Sequence, residues 1–225
     1  MTTGIFKSFY IFTILILVHE FGHFLTGVLF KWKVDKICIY PYGGCTKFDT
    51  LVNINYVEEF IVLIMGPVFQ IVFYLLIKKY LTYADYLILK KYNYAILIFN
   101  LLPIYPLDGG RLFNFFFCLF FPYKKSLYLS IYLSIIIFIL LFIYSRSISY
   151  YIVLFFLIFK VIKEYKNIKY YCNKFLLERY IYKLKFRKTK IINKSENFYK
   201  NKSHIIKDRY LYKDEEEYLF NHFNK

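Results

Sequence analysis

Long apolar runs, broken only by short polar stretches, dominate the first three quarters of the chain. A helix needs roughly 20 apolar residues to cross the hydrocarbon core of a bilayer. On that measure the pattern predicts about five hydrophobic helices, near residues 5–30, 60–77, 92–121, 126–144 and 148–162. The third is expected to break near its middle, where Pro103 and Pro106 fall, and the fifth is short. Between the first two, residues 31–59 partly alternate polar and apolar around Pro41-Tyr42-Gly43-Gly44, a pattern that predicts a small β-hairpin element within 34–56. The predicted fold class is an all-α polytopic membrane protein, with a three-helix core and that hairpin after the first helix. Residues 1–163 form the expected transmembrane domain. Residues 164–225 form an expected basic tail, helical at first and then loosely ordered.

Composition supports a membrane class over a soluble one, at 59% hydrophobic and 24% aromatic. The net charge of +16 is concentrated late in the chain. A basic flank after a hydrophobic segment marks the cytoplasmic side, so the tail is expected in the cytoplasm and the N-terminus outside. The tail matches no nucleic-acid recognition module, and no nucleic-acid partner is expected. Cys38, Cys45, Cys118 and Cys172 lack CxxC spacing, which argues against a sulfur-ligated zinc site or a disulfide framework. The first apolar run carries ionisable residues and no Ala-x-Ala follows it, so it does not read as a cleavable signal peptide.

Those ionisable residues carry the chemistry. His19-Glu20-Phe21-Gly22-His23 stands inside the first hydrophobic helix. Positions i and i+4 share a helix face, so both imidazoles can reach one metal ion, and Glu20 can take a proton from water beside it. Ionisable side chains in a spanning segment cost about 2.5–3.5 kcal/mol each on insertion scales; three in five residues call for a compensating partner, which a metal ion supplies. A zinc site needs a third protein ligand. Asp108 alone among the downstream acids and histidines is embedded in a hydrophobic span, within Asn100-Leu-Leu-Pro-Ile-Tyr-Pro-Leu-Asp108-Gly-Gly. The first and third spans should cross in the same direction. His19 lies about 21 Å into one and Asp108 about 24 Å into the other, at similar depth. Asn100 can donate to a developing oxyanion or cap the broken helix. Arg111 reads as a snorkelling side chain.

HEFGH at 19–23, Pro41-Tyr42-Gly43-Gly44, Gly66-Pro67, the NLLPIYPLDGG run at 100–110 and Phe175-Leu-Leu-Glu-Arg-Tyr180 together resemble the site-2 protease family of intramembrane zinc metalloproteases, in particular its sporulation branch. The resemblance implies one zinc ion per chain held by His19, His23 and Asp108, with Glu20 as the catalytic glutamate and Asn100 beside the active site. It implies that Gly43 and Gly44 lie in an element that pairs with extended substrate. It also implies cleavage, near the cytoplasmic face, of a membrane-associated protein such as a sigma-factor precursor, with inhibitory membrane-protein partners in the bilayer. Branch members usually carry a helix before the HExxH helix and many relatives a nucleotide-sensing module after the last; the sequence departs from both patterns. The competing reading is a catalytically inactive membrane adaptor that binds partner proteins.

Overall fold

The computed structural model describes residues 2–40, 43–144, 148–193, 197–208 and 211–223. Two compact units divide the chain: Met1–Thr50 with Val57–Leu102, and Leu51–Tyr56 with Pro103–Lys225.

The first unit holds α1 (Thr2–Leu29), β1 (Val34–Tyr40), β2 (Gly43–Phe48), α2 (Tyr56–Ile77) and α3 (Tyr83–Leu101). Leu15 and Ile16 of α1 bury against Leu89 and Ile96 of α3, and Phe73, Tyr74 and Ile77 of α2 close the cluster. Three contacts fix the direction of α1 against α3. Lys7 reaches Asp85 at 2.8 Å, the Phe12 and Tyr92 rings meet edge to face at 5.5 Å, and His19 approaches Asn100. Partners advance in the same order along both helices, so α1 and α3 run parallel, as the sequence predicts for the first and third spans. Thr82 caps α3, accepting from Asp85 N–H and donating to its carboxylate at 2.8 Å.

β1 and β2 pair antiparallel, from Val34 opposite Phe48 to Tyr40 opposite Gly43, with an irregularity between Val34 and Lys36. Pro41 and Tyr42 lie outside the described residues. The Phe48 ring packs edge to face with Trp32 at 5.5 Å, and it lies where a side chain on Gly27 of α1 would have to go.

The second unit contains the connector 51–56, α4 (Asp108–Phe120), α5 (Tyr123–Tyr144), α6 (Ile148–Tyr182), β3 (Thr189–Ile192), β4 (Ser203–Asp208), β5 (Leu211–Asp214) and α7 (Glu215–Phe223). The expected single broken third span is therefore two helices, α3 and α4. Pro103 and Pro106 lack the backbone donors that would carry one helix through 102–107. Helix α6 is also longer than the expected 148–162. Its apolar stretch ends there, but the helix continues as an amphipathic one to Tyr182.

Beyond α6 the tail is folded rather than loosely ordered. β3 pairs parallel with β4, β4 antiparallel with β5, and α7 buries Leu219. Arg179 organises this end from a fully buried position. It donates to Glu215 Oε1 at 2.7 Å, to the carbonyls of Tyr199, Lys200 and Lys202 and to Asn53 Oδ1 at 3.0 Å. Its neighbour Glu178 accepts from the backbone N–H groups of Val52 and Asn53 and from the Asn53 side chain.

Among the described residues three helices are long and apolar enough to cross a membrane: Phe6–Leu29, Tyr56–Ile77 and Tyr123–Ile143. Exposed Ile135, Ile136, Ile139, Leu140, Phe142 and Ile143 on α5 are what a lipid-facing surface requires.

Candidate metal centre

Helix geometry brings His19 and His23 one turn apart on the face of α1 that meets α2. Both are buried, 1% and 8% exposed. The approach is close because it is built from glycines. A Cβ on Gly22 would sit 3.0 Å from Gly66 Cα and 2.9 Å from the Met65 carbonyl carbon, and one on Gly66 would strike the His23 ring. Pro67 follows within α2, and in the same stretch the Val62 carbonyl accepts from His23 Nδ1 at 2.8 Å.

That contact settles the tautomer of His23. A carbonyl only accepts, so Nδ1 carries the proton and Nε2 presents its lone pair. His19 Nδ1 faces Gln70 Oε1 at 2.9 Å, which fixes its tautomer in the same sense. The two Nε2 atoms then face one another at 3.3 Å, an arrangement of two lone pairs that calls for a cation. Two imidazole nitrogens bound to one tetrahedral zinc at ~2.0–2.1 Å would lie about 3.3–3.4 Å apart. The donor pair fits zinc. Asn100 Nδ2 lies 3.4 Å from the same Nε2 of His19, at the edge of the place an ion would take.

In the second unit Asp108 opens α4, in its first turn, after an N-cap residue, Leu107, that makes no side-chain cap. The preceding loop is held down hard. Tyr105 N–H donates to Ser134 Oγ at 2.8 Å, and Ile104 is fully buried. Gly110 leaves room for the Ile104 carbonyl and the Tyr105 nitrogen, which a side chain there would strike. Ser134 is one rung of a buried ladder on α5, with Ser126, Ser130 and Ser134 each returning a hydrogen bond to an earlier carbonyl. Among the described residues, His19 and His23 in the first unit and Asp108 in the second are the candidate metal ligands. Glu20 is half-buried on the next position of α1. Gly43 and Gly44 lie at the start of β2, opposite Tyr40 and Ile39.

Sequence reasoning named Gly22 and Gly66 within motifs but not their role in setting the helix approach, and it overlooked Gln70 and Asn93, which orient His19. The available signal was a glutamine in an apolar span one turn past Gly66, a polar side chain in lipid that needs a partner.

Two facing imidazoles on an apolar helix, in a chain with three candidate spans, make a candidate metal centre in a multi-pass membrane protein. Comparison with known proteins gives the class a family. Residues 8–86 match Peptidase family M50. The chain is 32% identical over 190 residues to Stage IV sporulation protein FB of Bacillus subtilis, covering 80% of this chain and 66% of that protein. It is 27% identical over 133 residues to a zinc metalloprotease of Methanocaldococcus jannaschii, covering 56% of this chain and 39% of that protein. The solved site-2 protease from Methanocaldococcus jannaschii shares its fold, with a TM-score of 0.55 at 24% identity over 69% of this chain and 76% of that chain. The chain belongs to the Peptidase M50, or site-2 protease, family. It spans 66% and 39% of the length of these two curated relatives.

Proposed function

We propose that the chain is an intramembrane zinc metalloendopeptidase that cleaves a membrane-associated protein near the cytoplasmic face. The observation that carries the reading is the pair of Nε2 atoms facing at 3.3 Å while acceptors hold both Nδ1 atoms. That is the geometry and tautomer of two ligands on one ion.

His19, His23 and Asp108 are the proposed ligands, and a zinc ion held there supplies Lewis-acid polarisation of a carbonyl and of water. Glu20, next to His19 on α1, takes a proton from the attacking water and delivers it to the leaving amine. Asn100, whose amide nitrogen lies 3.4 Å from His19 Nε2, donates a hydrogen bond to the oxygen on which charge develops. Gly43 and Gly44 offer β2 backbone to an extended substrate, which supplies recognition through main-chain hydrogen bonds. The basic charge of the later chain supports a cytoplasmic C-terminal end. The similarity to a sporulation protein makes a sigma-factor precursor the first substrate to try, and inhibitory membrane proteins the first regulators.

The test compares membrane-protein fragments in cells carrying wild type and Glu20→Gln. Fragments should disappear in the variant while zinc content and membrane insertion stay unchanged. Undiminished cleavage by Glu20→Gln overturns the mechanism.

A further inference from the structure

We infer that Gln70 is a positioning residue for the metal centre, and that Asn93 locks it in the one orientation that serves. This rests on the metalloprotease reading above and deepens it.

Gln70 is fully buried and Asn93 is 2% exposed, so an unsatisfied amide on either would be costly. Gln70 Nε2 donates to the Asn93 backbone carbonyl at 3.0 Å and to Asn93 Oδ1 at 3.1 Å. The backbone carbonyl can only accept, so the Gln70 atom facing α3 is the NH2 group. Its other end, which faces His19 Nδ1 at 2.9 Å, is therefore the oxygen. An oxygen there requires a proton on Nδ1, which leaves the Nε2 lone pair directed at His23. The relay runs across three helices, from α3 through α2 to α1. Turning the Gln70 amide over would set an NH2 against Nδ1 and an oxygen against two oxygens.

The two imidazoles are thus supported differently. His23 is held by a backbone carbonyl of α2, which no substitution removes. His19 depends on a side chain, so its orientation is open to mutation without touching either ligand. Outer-sphere partners of metal-bound histidines typically carry about 10–100-fold in affinity.

The experiment measures zinc affinity of the detergent-purified chain by chelator competition, together with the visible spectrum after cobalt substitution. Gln70→Leu should weaken zinc binding by about 10–100-fold and alter the cobalt spectrum. Gln70→Glu keeps an oxygen against Nδ1 but sets its second oxygen against the Asn93 carbonyl, so it should restore only part of the affinity, a rescue that a purely space-filling role would not give. Asn93→Leu, which leaves Gln70 and both ligands in place, should give an intermediate loss, and it carries the test if Gln70→Leu fails to fold. Wild-type affinity in Gln70→Leu overturns the relay, as does failure of Gln70→Glu to outbind Gln70→Leu; wild-type affinity in a folded Asn93→Leu overturns the lock assigned to the Asn93 side chain, since the backbone carbonyl remains. A wild-type chain that binds no zinc would instead overturn the metalloprotease reading itself.

Discussion

Gly66→Ala is the smallest change that should empty the metal centre while leaving the fold standing. The added Cβ would lie 2.5 Å from His23 Cε1 and 2.7 Å from Cδ2, and closer still to Nε2. Ordinary carbon contacts sit at ~3.5–4.0 Å, so the ring must retreat by about 1 Å. Metal–ligand distances tolerate only about 0.2 Å. A displaced Nε2 is therefore no longer a ligand, and the Nδ1 bond to Val62, at 2.8 Å, is strained by the same motion. Folding should suffer less, because the obstacle is the far end of one side chain; overpacking of this kind costs about 1–3 kcal/mol. Zinc affinity should fall by more than the ~100-fold that bounds outer-sphere effects, equivalent to at least about 2.7 kcal/mol. The assay is zinc per chain by elemental analysis and dissociation constant by chelator competition, with elution volume and helical circular dichroism as checks on folding. Gly22→Ala is the contrast. Its Cβ meets the Met65 backbone, which cannot swing away, so loss of the folded chain is expected. A folded Gly66→Ala protein with wild-type zinc content and affinity would refute the reasoning.

Asp108→Asn should reduce zinc retained through purification, and unchanged stoichiometry would point to another third ligand. Arg179→Met should destabilise the C-terminal module by about 3–5 kcal/mol, because it strands the buried Glu215 carboxylate; hydrogen exchange across 197–223 reads the loss, and unchanged protection contradicts it. The same module should weaken in acid. Burial pushes His204 below its ordinary 6.5, more than its bond to Glu215 raises it; it accepts from Tyr199 N–H on Nε2, so protonation breaks that bond. Burial alone would raise Glu215 above 4.5, but the His204 hydrogen bond and the Arg179 charge together hold it below. Both groups bind fewer protons folded than unfolded. Their stabilisation is present above about pH 6.5 for His204 and about 4.5 for Glu215, and is lost on going lower. Flat exchange protection from pH 7 to 4 would contradict that.

The spacing of His19 and His23 was enough to place both imidazoles on one face, since it depends only on helical period. Asp108 stood out as a candidate because an acid in an apolar span is conspicuous. The rest lay in relations that no local pattern encodes. Gln70 and Asn93 are 23 residues apart, and each alone is an unremarked amide. Gly22 and Gly66 matter only because α1 and α2 touch there. The continuity of α6 was not legible because hydropathy falls at residue 162, which divides one helix into an apolar span and a helical start to the tail. The three C-terminal strands were hidden by Lys and Tyr interspersed along short segments, and their anchor, Arg179, takes its partners from 20 to 126 residues away.

The clasp on the connector has a consequence for biosynthesis. Val52 and Asn53 take their hydrogen-bond acceptor from Glu178, 126 and 125 residues downstream. At about 5–20 residues per second, a ribosome needs on the order of ten seconds to deliver that carboxylate after the connector has emerged. For that interval the hairpin and the spanning helix after it are joined by a tether whose amides have not met their permanent acceptor. Assembly of the second unit therefore waits until α6 has been made, and a chain truncated before Glu178 would hold both histidines on a scaffold whose linker was never fastened.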